Sequence, residues 1–286
     1  MSALTDLVRE ELSIRVDSRV AAMASAIAAR YPGSARAVLF YGSCLRESEL
    51  HGLMLDFYLI VSDYGDAYPK RWLAATNRLI PPNVFPFEHD GLIAKYAVLS
   101  EGDFHRLNGP ETRNVSVWAR FAQPSRLVWA VDDTARDRAV AAVARAAPTL
   151  LAAAGAVDGE APLDWWRRAF SLTYSVELRA ERTGRAQSVV DADAARYDRF
   201  SLPAMAAIPA GAASGGWARR RIEGKLLSIV RLAKASLTYA GGIDYLAWKI
   251  NRHAGTKIEI KPWQRRWPLV AALTLVPRLV KSGAIR

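Results

Sequence analysis

The stretches Val38-Leu-Phe-Tyr-Gly-Ser-Cys44 and Leu53-Met-Leu-Asp-Phe-Tyr-Leu-Ile-Val61 decide the fold of this chain. Both are apolar runs that predict strands, and the first ends in a turn of small residues. Such a turn can bring backbone N–H groups close to a phosphate. Asp56, the one carboxylate of the second run, is costly inside an apolar strand unless it binds a cation or a donor. The two runs therefore indicate a site at Gly42, Ser43 and Asp56, and the alternative is a hairpin with Asp56 exposed at a strand end.

The composition is that of a globular protein. The chain has 286 residues, of which 51% are hydrophobic and 23% are charged, so it can bury a sizeable core. Its single cysteine, Cys44, excludes an internal disulfide framework and favours a reducing compartment. The N-terminal residues show no secretion signal and are too acidic for a transit peptide, so secretion is not expected.

The positive charge is concentrated at the C-terminal end. Residues 217–286 contain fifteen Lys and Arg against three Asp and Glu, whereas residues 1–216 are nearly neutral, with 24 basic and 25 acidic residues. A surface of this kind should meet an anion, which could be nucleic acid, a nucleotide or an acidic membrane.

The pattern of the first half predicts an α+β domain with a small mixed sheet. The apolar spacing predicts helices over 4–30, 66–80 and 100–121, strands over 36–42 and 53–61, and a hairpin formed by 84–88 and 92–99. Within the helix over 66–80, the expected buried face consists of Trp72, Leu73 and Leu79.

The second half is predicted to be helical. Helical segments are expected over 134–155, 163–186, 190–202, 217–240 and 243–253, with a loop over 203–216. The helix over 217–240 is basic and amphipathic.

The C-terminal tail holds an apolar run of about 13 residues, which is shorter than the ~20 residues of a spanning helix. Four interfacial residues precede it, namely Trp263, Arg265, Arg266 and Trp267. They suit a helix that lies in the headgroup region of a membrane. A C-terminal helix packed on the protein's own core would give the same pattern, and both interpretations stay open.

Gly42, Ser43 and Asp56 resemble the hallmark of the nucleotidyltransferase superfamily. Longer stretches resemble one family in order and approximate spacing, the mitochondrial-type phosphatidate cytidylyltransferases, which are peripheral CDP-diacylglycerol synthases with bacterial members. These stretches are Phe40-Tyr-Gly-Ser-Cys-Leu45, Met54-Leu-Asp-Phe57, His89–Ser100, Leu226–Lys234 and, more weakly, Tyr239–His253. The resemblance covers most of residues 38–253, although 135–215 contribute little to it.

The resemblance implies three parts. They are a nucleotidyltransferase domain over 1–130, a helical, winged-helix-like domain over 131–255 and a basic, amphipathic membrane-associating tail over 256–286. It also implies a reaction of CTP with phosphatidic acid that gives CDP-diacylglycerol and pyrophosphate, with Mg²⁺ or another divalent metal as cofactor.

The resemblance assigns roles residue by residue. Gly42 and Ser43 would hold the β- and γ-phosphates of CTP. The catalytic residues would be Asp56, which would bind the metal, and Lys95, which would neutralise phosphate charge. Three further cations match basic positions of the second domain and would close on the nucleotide phosphates or the lipid headgroup, namely Arg231, Lys234 and Lys249.

One position departs from the superfamily pattern, which places a second acid two residues after the first. Here that position is Tyr58. A single carboxylate is a poor Mg²⁺ site, so a further ligand is expected from Glu88, with Asp90 and Asp63 as the other candidates.

Two other function classes stay open. One is a nucleotidyltransferase with a soluble acceptor, such as a small molecule, a protein or an RNA end. The other is a non-catalytic relative that binds anions or nucleic acid. The Trp-flanked tail favours an anionic membrane over nucleic acid as the partner. We therefore expect a peripheral protein on the cytoplasmic face of a bacterial inner membrane, and the sequence leaves a homodimer open.

Overall fold

A computed structural model describes residues 2–47, 49–50, 52–155, 157, 159–176, 189–212, 214–238 and 260–262. These residues form an α+β structure in which helices cover both faces of a five-stranded sheet. The α+β class and the small mixed sheet predicted from the sequence are thus confirmed.

The sheet has the strand order β3-β4-β2-β1-β5, in which β2 and β4 are parallel and the other neighbours are antiparallel. Its strands are β1 (Ala35–Tyr41), β2 (Met54–Val61), β3 (Asn83–His89), β4 (Leu92–Ser100) and β5 (Ser125–Ala130). The hairpin of β3 and β4 turns at Asp90 and Gly91, whose φ angles are 49° and 73°. A two-residue turn of this kind requires positive φ, which Asp-Gly tolerates.

Eleven helices of the described residues carry labels here. They are α1 (Ala3–Leu12), α2 (Ser18–Ala29), α3 (Tyr64–Ala67), α4 (Arg71–Leu79), α5 (Glu101–Leu107), α6 (Trp118–Phe121), α7 (Asp133–Ala144), α8 (Ala146–Ala154), α9 (Pro162–Tyr174), α10 (Ala194–Ala206) and α11 (Trp217–Thr238).

Several long predicted helices are divided in the structure. The helix expected over 4–30 is wrong as a single element, because the side chain of Asp17 accepts from the amide of Arg19 and starts α2 as a new helix. The segments 66–80, 100–121 and 134–155 each form two helices, and strand β5 was not predicted. The loop expected over 203–216 begins late, because Pro203 lies inside α10.

The predicted buried face of α4 is wrong at two of its three residues, whereas Leu73, the third, packs against the core and is partly buried. Trp72 is 43% exposed and Leu79 is 80% exposed. Asn77 takes the inward position instead, where its Nδ2 donates to the carbonyl of Val98 at 2.9 Å and its Oδ1 accepts from the amide of Asn83. A buried amide with both ends bonded holds α4 against β3 and β4.

Two apolar cores lie on the two faces of the sheet. One joins the sheet to α2, α3 and α4. The other is continuous from the sheet through α1 and α5–α10, so it includes residues on both sides of position 130, where the sequence predicts a domain boundary. A buried ion pair between Glu11 and Arg196 ties α1 to α10 within this assembly.

No helix of the described residues has both the length and the apolar character needed to cross a membrane.

Candidate functional site

The site lies where β1 ends and β2 begins. Strand register places Asp56 of β2 opposite Tyr41 of β1 and opposite Lys95 of β4. Residues that pair across adjacent strands share a face of the sheet, so all three side chains start from the same face. Lys95 Nζ lies 2.8 Å from Asp56 Oδ1, and about a quarter of each side chain is exposed. The structure therefore brings the two predicted catalytic residues into an ion pair.

Gly42 lies directly beside the carboxylate of Asp56. Its φ of 95° lies in the region that favours glycine. A Cβ atom at this position would lie 3.2 Å from Asp56 Oδ2. Ser43 then opens a short 3₁₀ turn, Ser43–Arg46, and both Gly42 and Ser43 are exposed. The predicted phosphate-binding turn and the predicted metal ligand are thus direct neighbours.

Tyr58 takes the place of a second acid, and it belongs to the core. It is 1% exposed, and its ring packs 5.3 Å from Tyr41 and 5.1 Å from Phe121. Its hydroxyl accepts a long hydrogen bond of 3.4 Å from Arg120 Nη1. This position supplies packing to the site, not charge.

Arg120 is a cation that the sequence did not single out. Its guanidinium lies 5.0 Å from the centre of the Tyr41 ring. Burial raises the pKa of Tyr41 well above its ordinary value; Arg120 opposes that rise and Asp56 adds to it. The site therefore combines one carboxylate with two cations, Lys95 and Arg120. The sequence predicted one continuous helix over 100–121. That prediction did not separate α6, which carries Arg120, from α5, so it gave no reason to place Arg120 near the sheet.

Glu88, the predicted second metal ligand, lies apart from Asp56. It is exposed on β3 and pairs with Ile93 of β4, so its side chain starts from the same face of the sheet as that of Asp56. It lies two strands away from Asp56, and along β3 it is two residues from the position that is level with Asp56. Strand spacing and rise put the two Cα atoms roughly 12 Å apart.

The two other candidate acids lie elsewhere. Asp90 is at the hairpin turn, where His89 Nε2 lies 3.5 Å from its Oδ2. Asp63 caps α3 and accepts from Arg78 at 2.7 Å. Among the described residues, no group of three His, Cys, Asp or Glu side chains could hold a metal ion.

The donor set still fits one kind of metal site. Mg²⁺ commonly binds through one or two carboxylates, several waters and the phosphates of a substrate. Asp56 is a partly exposed carboxylate beside an exposed turn, and it can serve an ion that shares its other ligands with a triphosphate. Asp56 Oδ1 is shielded from solvent and faces Lys95, which leaves Oδ2 as the oxygen for such an ion.

Arg231 and Lys234 contact backbone carbonyls. Arg231 donates to the carbonyl of Pro81 at 2.7 Å and to Ser116 Oγ at 2.9 Å, and Lys234 donates to the carbonyl of Ile80. These contacts tie α11 to the segment between α4 and β3. That segment leads into Asn83, the first residue of β3, which pairs with Val98 of β4. Val98 lies three residues along β4 from Lys95, so the segment is well away from the partner of Asp56. The structure therefore does not bring these two cations to Asp56.

The remaining predicted site residues lie outside the described part of the chain. They are Lys249, Trp263, Arg265, Arg266 and Trp267.

The chain was compared with protein-family models and with curated proteins, and neither comparison gave a match.

Gly42→Ala tests the contact between the turn and Asp56. Gly33→Ala is the control for positive φ, because Gly33 has a φ of 75° and no atom within 4 Å of an added Cβ; it should lose about 1 kcal/mol. Gly42→Ala should lose more, because a φ of 95° with a ψ of −168° is a conformation almost confined to glycine. The part of the loss that comes from the carboxylate should be at least ~0.5 kcal/mol, measured by urea unfolding as the amount by which the loss shrinks in an Asp56→Ala background. A loss that stays the same in that background would contradict the contact.

Lys234 gives a pH-dependent prediction. Burial, together with Arg231, lowers its pKa from 10.5 to about 7. Between these values the unfolded chain binds a proton that the folded protein lacks, so stability should rise with pH. The wild type should gain about 2 kcal/mol between pH 7 and pH 9 relative to Lys234→Met. Urea unfolding at each pH measures this, and an identical pH dependence in both proteins would show that Lys234 keeps its ordinary pKa.

Proposed function

We propose that this protein is a metal-dependent CTP:phosphatidate cytidylyltransferase that makes CDP-diacylglycerol and pyrophosphate. The observation that carries the proposal is the junction of Gly42, Asp56 and Lys95 at one end of the sheet. A nucleotidyltransferase needs a close-approach turn, a carboxylate for a metal and a cation for phosphate charge, and this junction contains one of each.

The charges of the site suit an anionic substrate. Lys95 stands beside Asp56, and Arg120 stands over Tyr41. Both cations can neutralise negative charge on a triphosphate. Mg²⁺, when bound through Asp56, would supply further charge neutralisation on the triphosphate.

In this reaction the protein has to position the two substrates and neutralise phosphate charge. A phosphate oxygen of phosphatidic acid attacks the α-phosphorus of CTP, and the bond from that phosphorus to the oxygen bridging to the β-phosphate breaks. The electron pair of that bond leaves with pyrophosphate. Since the nucleophile is already an anion, no general base is needed. Burial raises the pKa of Tyr41, so its hydroxyl is neutral and the charged groups beside it are Asp56, Lys95 and Arg120.

The choice of CTP and phosphatidic acid is supported by the sequence resemblance over His89–Ser100 and Leu226–Lys234. The basic C-terminal residues suit a substrate that resides in an anionic bilayer. The protein would accordingly act as a peripheral protein at the cytoplasmic face of a bacterial inner membrane.

Pyrophosphate release tests the proposal. Each of the four nucleoside triphosphates is supplied with Mg²⁺, with and without phosphatidic acid in mixed micelles. We expect release only when CTP and phosphatidic acid are both present. Asp56→Asn and Lys95→Met should each lower kcat at least about 100-fold, because each removes charge complementarity at the triphosphate.

The matched control is Asp133→Asn, since Asp133 is a fully exposed carboxylate at the start of α7; it should keep wild-type activity. Glu88→Gln measures whether the exposed acid of β3 joins the metal site after the nucleotide binds. Release that needs no phosphatidic acid would mean that water accepts the nucleotidyl group, which would contradict phosphatidic acid as the required acceptor. No release with any of the four nucleotides would overturn the proposal.

A further inference from the structure

Helix α11 exposes a row of apolar side chains. Ile222 is 64% exposed, Leu226 is 59% exposed and Val230 is 43% exposed. Their spacing of four residues places them on one face of the helix, because an α-helix turns about 100° per residue. Exposed apolar residues are ordinary when single, but an aligned row of three is the pattern of a contact surface.

Cations border this row on both sides. Arg219, Arg221 and Lys225 are exposed, and helical geometry puts Arg219 on one side of the row and the other two on the opposite side. The acid in this part of the helix, Glu223, is bound by Arg219 at 2.7 Å and by Arg113 at 3.0 Å. The row is thus apolar along its centre and cationic along its edges.

The opposite face of α11 holds the helix in place. A Cβ atom on Gly224 would lie 2.3 Å from Cγ1 of Val176, so the helix backbone approaches that residue closely. Arg231 also lies on this side and donates to the carbonyl of Pro81. Lys234 follows Val230 by four residues on the line of the row, and it is buried and donates to the carbonyl of Ile80, so the exposed part of the row ends at Val230. With this face packed, the apolar row points away from the body of the protein.

We propose that the exposed face of α11, made of Ile222, Leu226, Val230, Arg219, Arg221 and Lys225, binds the surface of an anionic lipid bilayer. Apolar side chains enter the boundary between headgroups and acyl chains, while flanking cations meet the lipid phosphates. Nucleic acid fits less well, because a phosphate backbone attracts the cations but gains nothing from exposed Ile and Leu. The inference stands on the described residues of α11 and does not depend on the proposed reaction.

Flotation of the full-length protein with vesicles tests this surface. The vesicles contain phosphatidylcholine alone or phosphatidylcholine mixed with phosphatidylglycerol, and no nucleotide is added. We expect binding to the anionic vesicles at about 0.1 M salt and weaker binding at about 1 M salt, where exposed charges are screened.

Two variants separate the two parts of the surface, and each has a matched control. The apolar variant is Ile222→Gln/Leu226→Gln/Val230→Gln, which keeps good helix formers; its control is Ile14→Gln/Val157→Gln/Leu202→Gln, whose residues are 51%, 54% and 74% exposed elsewhere. The charge variant is Arg221→Gln/Lys225→Gln, and its control is Arg15→Gln/Arg71→Gln, two exposed cations on other segments.

Both α11 variants should bind anionic vesicles at least about 10-fold more weakly than the wild type, and both controls should bind normally. If the apolar variant binds as the wild type does, other residues of the chain carry membrane binding and the proposal is overturned. It is also overturned if the wild type binds no anionic vesicles, whether or not it binds duplex DNA. Pyrophosphate release from micellar substrate is measured separately, so loss of the proposed reaction and loss of vesicle binding are distinguishable.

Discussion

The parallel pairing of β2 with β4 is the constraint on which the candidate site depends. It sets Asp56 level with Lys95, and the antiparallel pairing of β1 with β2 sets Asp56 level with Tyr41, one residue before Gly42. Because the register of a strand fixes the face of every side chain, a slip of one residue would turn Asp56 into the apolar core on the other face. Buried neighbours such as Leu55 and Phe57 oppose that slip, since it would remove them from the core in which they pack.

The face of the sheet that carries the site is also the face that the C-terminal helices cover. Tyr58 lies two residues after Asp56 on the same face of β2, and it packs in that core. Strand β2 therefore carries a charged residue near its start and a core residue two positions later. Helix α11 joins this assembly at the edge of the sheet through Arg231 and Lys234, which bind carbonyls between α4 and β3. Its outer face is then available to a membrane while its inner face is fixed.

The sequence predicted the parts of the fold that local patterns determine. The two apolar runs gave β1 and β2 within one or two residues, and Asp90-Gly91 gave the hairpin, because turn chemistry and period-two patterns act over short distances. It also gave the pairing of Gly42 with Asp56, since the two lie at the ends of consecutive antiparallel strands.

The parts that failed depend on tertiary contacts. Apolar spacing assigned Trp72 and Leu79 to the interior, but two hydrogen bonds of Asn77 turn α4 the other way. The contact of Arg231 with the carbonyl of Pro81, 150 residues away, was also not predicted. Arg120 reaches Tyr41 from a helix far along the chain. No pattern within a short window reports such contacts.

A crystal structure with CTP and Mn²⁺ would test most directly whether the junction of Gly42, Asp56 and Lys95 is a nucleotide site. Anomalous scattering locates Mn²⁺ independently of how the nucleotide is built. We predict a Mn²⁺ peak within about 2.2 Å of a carboxylate oxygen of Asp56, with the β- and γ-phosphates against Gly42 and Ser43 and near Lys95. A nucleotide bound elsewhere on the chain, or a Mn²⁺ peak on other carboxylates with Asp56 still paired only to Lys95, would contradict this assignment.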